Sequence, residues 1–257
     1  MRENPVKNLL KAGKPAIGTW LTLGDPLATE TLAHMDFDWL NVDMEHGSID
    51  VRETRALFQV INTTDVVPTA RVPWNDHVWI KRVLDAGAYG VVVPMVRTRE
   101  EAERAVAACR YPPAGIRSIG SGRNHYAFRG TQADYLDRAN DELLVIIQIE
   151  HADAIRRLDD ILSVPGIDAA FIGPNDLCAS LGIPPSTDSE HPDFEAAVSQ
   201  VVTFSRKHGV APGIHTSSGE ALNKRLEQGF RYLGLANDQR LLIKGATDEL
   251  DVIRREP

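Results

Sequence analysis

The chain has 257 residues, 43% hydrophobic and 25% charged, an ordinary globular composition able to bury one large core, although two smaller domains fit the same length. A formal net charge of −8, with no stretch that gathers Lys and Arg, repels a phosphate backbone and argues against a nucleic-acid partner. The distant Cys109 and Cys178 argue against a disulfide framework or a Cys/His zinc site, and no run reaches the roughly 18 apolar residues of a membrane span or forms a signal-peptide core; a cytoplasmic protein is expected.

In chain order, short runs rich in β-branched residues alternate with polar segments of helical period. Ala16–Leu21 predicts a strand and Pro26–His34 a helix, followed by Trp39–Met44 and Val51–Asn62, then Val67–Val72 and Asp76–Ala86. Gly90–Met95 precedes Arg99–Cys109, Leu143–Ile149 precedes Ala152–Leu162, and Ala169–Ile172 precedes Phe194–His208. Val210–Ile214, Gly219–Gln228, Tyr232–Leu235 and Asp238–Arg254 complete the series. Eight strands with interleaved helices predict an α/β fold, a closed (β/α)8 TIM barrel spanning 1–257 as one domain, over an open doubly wound sheet. Two segments break the rhythm: Tyr111–Arg129, rich in Gly, Pro and Arg, and Gly182–Pro192, rich in Pro, Ser and acids. Both read as long loops that serve as lids, interface elements or mobile insertions.

A barrel builds its site where strands end, which selects Asp43-Met44-Glu45-His46, Arg71, Gln148-Ile149-Glu150 and Asn175-Asp176. Glu150 and Asp176 follow consecutive strands. Their carboxylates either share a cation, leaving positions for water and substrate, or each caps the following helix. His46 reads as a general base or a surface histidine, and Arg71 as an electrophile facing a developing enolate oxygen or a partner in a rim salt bridge. His215 also ends a strand but has no acidic neighbour in sequence. All seven lysines precede the first strand or fall on predicted helices, so a Schiff-base mechanism lacks its amine. Gly120-Ser121-Gly122 neither follows a clear strand nor opens a helix, and no phosphate-binding loop is present.

Motifs in order along nearly the whole chain, from Ile17-Gly18-Thr19-Trp20 through FDWLNVDMEHG, ARVPWND, VVVPMV, RYPPAGIRS, IIQIE and FIGPNDL to APGI, resemble the HpcH/HpaI aldolase family of class II pyruvate aldolases. The resemblance implies that Glu150 and Asp176 bind Mg2+, Mn2+ or Co2+. It assigns His46 as the base acting through water, Asp85 in KRVLDAG as the acid that orients it, and Arg71 as the group that polarises the keto oxygen. Gln148 and the backbone amide at Asn175, a position often Ala in relatives, match contacts to the pyruvate carboxylate. The implied reaction is reversible cleavage of 4-hydroxy-2-oxo acids to pyruvate, or hydroxypyruvate, and an aldehyde. The implied assembly is a homohexamer in which Ser118–Arg129 borders a neighbour's site. Acceptor specificity is expected from Trp20, Ser121–Tyr126 and His215–Ser217. Two other readings compete: a CoA-ester lyase of the citrate lyase β-subunit type, disfavoured by the lack of lysines at the mouth, and a catalytically silent oxo-acid-binding protein.

Overall fold

A computed structural model describes residues 2–120 and 122–254. The elements run α1 (Pro5–Lys11), β1 (Ala16–Leu21), α2 (Pro26–Ala33), β2 (Trp39–Asp43), α3 (Val51–Ile61), β3 (Val67–Arg71), α4 (His77–Ala86), β4 (Gly90–Val93) and α5 (Arg99–Cys109). They continue with α6 (Asn124–Ala127), α7 (Gln132–Glu142), β5 (Leu144–Ile149), α8 (Ala152–Arg156), α9 (Leu158–Leu162), β6 (Ala169–Ile172) and α10 (Pro174–Ser180). Last come α11 (Pro192–His208), β7 (Ala211–Thr216), α12 (Gly219–Gln228), β8 (Tyr232–Asn237) and α13 (Asp238–Asp251). The strands are parallel and close as a barrel in the order β1 to β8, the architecture the alternating pattern predicts.

The predicted strands agree with the observed ones to within two residues at each end. The helices differ more. Pro5–Lys11 and Gln132–Glu142 are helical although no helix is expected there, and each carries a local start signal: an Asn4 cap ahead of Pro5, and a reciprocal Thr131/Asp134 capping box. The expected helix Ala152–Leu162 breaks at Arg157, whose φ of −119° leaves the helical range. The loop expected over Tyr111–Arg129 contains the short α6.

Packing between strands fixes which side chains reach the mouth. Gly18 is required because a side-chain carbon there would stand 2.1 Å from the Trp39 ring, which stacks on Tyr232 with centroids 4.5 Å apart inside the barrel. At the N-terminal end of the strands, buried charges are closed into a network. Lys7 donates to Leu143 O at 2.9 Å and pairs with Asp168 at 3.0 Å, Asp168 accepts the Val145 amide at 2.8 Å, and Arg110 donates to the carbonyls of Leu143 and Gly166.

The first and last βα units are joined by Asp238. Its buried carboxylate accepts the amides of Thr22 and Leu23, both at 3.0 Å from Oδ2, and the Thr22 hydroxyl at 2.6 Å. Beyond that anchor α13 buries little, and Leu242, Ile243, Leu250, Val252 and Ile253 at its end are exposed.

Candidate active site

Where the strands end, the barrel opens onto a cavity of about 370 Å3 lined in part by Asp43, His46, Arg71, Gln148, Glu150 and Asp176. Register puts Asp43 beside Arg71 on β2 and β3, so carboxylate and guanidinium meet as a fork: Nε donates to Oδ1 at 3.0 Å and Nη2 to Oδ2 at 2.5 Å. Arg71 therefore makes the rim salt bridge and also lines the cavity. Its Nη1 lies 3.2 Å from Glu45 Oε2, within ion-pair range but without hydrogen-bond alignment, and Trp20 stacks under it with the guanidinium carbon 4.6 Å from the ring centroid. Burial alone would raise the Asp43 carboxyl; the Arg71 hydrogen bond and charge outweigh it and hold that carboxyl below the usual range. The same burial raises Glu45, because the more distant attraction of Arg71 does not offset it.

Asp43 also shapes the turn that carries His46, since its Oδ1 accepts the amides of Glu45 at 3.1 Å and His46 at 3.3 Å. The His46 side chain is 66% exposed, with Nε2 3.9 Å from Glu45 Oε2.

Glu150 is buried, and both its oxygens are engaged: Oε1 accepts the Met95 amide at 2.7 Å and Oε2 the Gln148 amide at 2.9 Å. Met95 adopts φ 57°, an uncommon conformation for a residue with a side chain, in making that bond. Gly173 gives the carboxylate its room, because a Cβ there would stand 2.4 Å from Oε2. Burial chiefly, with the charges of Glu45 and Asp176, pushes the Glu150 carboxyl up to about 7 against the pull of the Met95 amide and Arg71. Glu150 is not a helix cap: His151 caps α8 by accepting the Asp153 amide at 3.1 Å. Asp176 lies in the first turn of α10, whose start has no side-chain cap, and it makes no hydrogen bond or ion pair among the described residues. Asn175 precedes it on the same exposed turn at the cavity edge.

Six of the seven predicted site residues thus share one cavity. Asp85 does not. It sits near the end of α4 and accepts from Arg117 Nη2 at 2.7 Å, and it lines a separate cleft with Arg52, Arg55, Arg82 and Arg123. Sequence reading passed over Asp43 and Glu45 as individual site groups, although both stand at the end of β2, the signal that selected His46. Of the expected specificity residues, Trp20 and His215 line the cavity. Ser121 lies outside the described residues.

The strand-end carboxylates, the Asp43–Arg71 fork and the order of motifs converge with the comparisons. The profile of the HpcH/HpaI aldolase/citrate lyase family matches residues 16–245. The chain belongs to that family. Family membership makes it an enzyme, a carbon–carbon lyase. Over 245 residues, 95% of this chain and 92% of the relative, it is 43% identical to the 4-hydroxy-2-oxo-heptane-1,7-dioate aldolase of Salmonella dublin. Among family structures, it is similar to an HpcH/HpaI aldolase/citrate lyase family protein from Burkholderia cenocepacia, with TM-score 0.91, 35% identity and coverage of 96% and 98% of the two chains. It is also similar to the HpcH/HpaI aldolase of Desulfitobacterium hafniense, with TM-score 0.90, 32% identity and coverage of 98% and 97%.

Proposed function

We propose that this single barrel catalyses reversible aldol cleavage of 4-hydroxy-2-oxo acids to pyruvate or hydroxypyruvate and an aldehyde, using Mg2+, Mn2+ or Co2+ held by Glu150 and Asp176. The observation that carries the reading is the uncompensated carboxylate pair at the mouth. Glu150 is buried beside the charges of Glu45 and Asp176, while Arg71, the neighbouring cation, is already forked to Asp43. A divalent cation relieves that crowding. Two carboxylates leave the cation's other positions to water and substrate. When bound, the cation supplies a Lewis acid that polarises the 2-oxo group.

The residues divide the remaining work. Arg71 keeps N–H groups free of Asp43 and donates them to the 2-oxo oxygen, stabilising the charge that develops there. Gln148 and the backbone amide at Asn175 orient the substrate carboxylate, and His46 moves the proton through water. Asp85 stands outside the cavity of its own chain, so its orienting role for His46 belongs to a second copy. The exposed apolar end of α13, with Ile116, Ile119 and Tyr126 on the segment near Asp85, supports a homo-oligomer of that kind. Buried, unbridged Cys109 and Cys178 suit a reducing cytoplasm. The substrate class draws support from the relative's 4-hydroxy-2-oxo acid.

Chelation tests the reading. EDTA-treated protein loses pyruvate release from 4-hydroxy-2-oxo acids and regains it with Mg2+, Mn2+ or Co2+; full activity without metal overturns the assignment.

A further inference from the structure

The wall opposite the carboxylates carries polar atoms that the proposed chemistry leaves unused. Glu150 directly follows β5 and Trp20 lies on β1, and in a ring of eight strands β1 stands across from β5. A 2-oxo acid gripped by the carboxylate side and Arg71 therefore turns its remaining carbons towards Trp20 and the adjacent His215 on β7.

Trp20 Nε1 and His215 Nδ1 are both buried without a hydrogen-bond partner among the described residues. They turn towards one spot, since a first side-chain carbon on Gly234 would stand 2.9 Å from Trp20 Nε1 and 3.2 Å from His215 Nδ1. The two rings meet edge-on, with centroids 5.9 Å apart. An indole nitrogen only donates, so the tautomer that complements it has Nδ1 unprotonated and the ring proton on Nε2. Nε2 is neither sealed from solvent nor bonded among the described residues, and His215 lines the cavity. Burial, then the charge of Arg71, pushes His215 down to about 4, so the ring is neutral near pH 7. Ser217, two residues on, is tied by its amide and hydroxyl to Asp188 in the loop between α10 and α11, which steadies this strand end.

A neutral N–H donor matches a hydroxyl oxygen, which carries acceptor lone pairs. We propose that His215 Nε2–H, held in this tautomer by Trp20, forms a hydroxyl-recognising subsite. It donates to a hydroxyl oxygen on the substrate skeleton, at C3 of the 2-oxo acid or beside the aldehyde carbon. The inference rests on the aldolase reading above.

Two substrate pairs, each exchanging a methyl for a hydroxymethyl group, test it on the metal-loaded protein. Hydroxypyruvate is set against pyruvate with one aldehyde, and glycolaldehyde against acetaldehyde with pyruvate. His215→Leu lowers the hydroxyl preference, read as the ratio of kcat/KM values, by about ten- to a hundredfold in one pair. The pair affected identifies where the hydroxyl sits. His215→Asn, which keeps an N–H donor, restores part of the preference. Unchanged ratios, or an equal loss on all four substrates, overturn the subsite and leave His215 as packing or a water ligand. A wild type that turns over none of the substrates marks failure of the aldolase reading instead. In that event dissociation constants for hydroxypyruvate and pyruvate, measured by calorimetry in the same variants, decide the subsite: a hydroxypyruvate preference that His215→Leu removes supports it, and an unchanged preference overturns it. Nitrogen NMR of histidine-labelled protein reads the tautomer apart from catalysis, and a proton on Nδ1 of His215 overturns the assignment.

Discussion

At the N-terminal end of the strands, Asp168 sits with Lys7 at 3.0 Å and the Val145 amide at 2.8 Å, its charge met from two sides. At the C-terminal end, Glu150 is equally enclosed but has carboxylates for neighbours, and Glu45 Oε2, Gln148 Oε1, Trp20 Nε1 and His215 Nδ1 lack hydrogen-bond partners among the described residues. The same barrel satisfies the Asp168 cluster at its floor and leaves these groups open at its mouth. Floor polarity holds the fold; mouth polarity waits for ligands.

Variants at the two ends separate these roles. Asp168→Ala strands Lys7 and Arg110 at the floor and costs about 3–5 kcal/mol of stability, read by urea unfolding, with kcat of the folded fraction retained. A stable Asp168→Ala protein with impaired kcat erases the distinction. Arg71→Ala at the mouth slows enolisation by about 10^2–10^3-fold, read as deuterium exchange at the pyruvate methyl. Arg71→Lys keeps the charge but not the fork, so it recovers little. Unchanged exchange in Arg71→Ala removes Arg71 from the mechanism, and unchanged exchange in Arg71→Lys shows that charge suffices without the fork. Glu150→Gln relieves the carboxylate crowding and stabilises EDTA-treated protein by about 1–3 kcal/mol at pH 8, while abolishing stabilisation by added metal. Calorimetric melting with and without Mg2+ checks both halves.

The smallest effect is on acid stability. Asp43 is held below its ordinary range in the fold, so its contribution is fully present above the unfolded value of about 3.9 and is lost as pH falls through the folded value. Asp43→Asn therefore flattens the decline in urea midpoint between roughly pH 5 and 2. An equal decline in the variant assigns acid sensitivity to other carboxyls.

The barrel was legible in the sequence because strand signals are local: runs such as Leu143–Ile149 carry their β-branched pattern whatever they pair with. Strand-end placement also singled out Glu150, Asp176, Arg71 and His46, which line one cavity. It did not resolve their partners. The Asp43–Arg71 fork joins residues 28 apart through strand register, and the crowding of Glu45, Glu150 and Asp176 arises only when β2, β5 and β6 converge. His215 looked unsupported because Asp188 and Trp20, which surround its strand end, are distant in sequence. Helices α1 and α7 were missed despite readable caps, Asn4 before Pro5 and the Thr131/Asp134 box, since α1 is short and α7 is largely polar. Asp85 poses a different limit, because it lies in a separate cleft from the cavity that His46 lines.

Asp238 bears on how the chain is made. The amides of Thr22 and Leu23 are synthesised long before the carboxylate they bond, which belongs to a residue 216 positions beyond Thr22. The seam between β1 and β8 stays open until β8 and Asp238 have followed. Trp20, on the strand bordering that seam, takes its final place only then, so a nascent or C-terminally truncated chain can hold much of its sheet and still lack one wall of its working cavity.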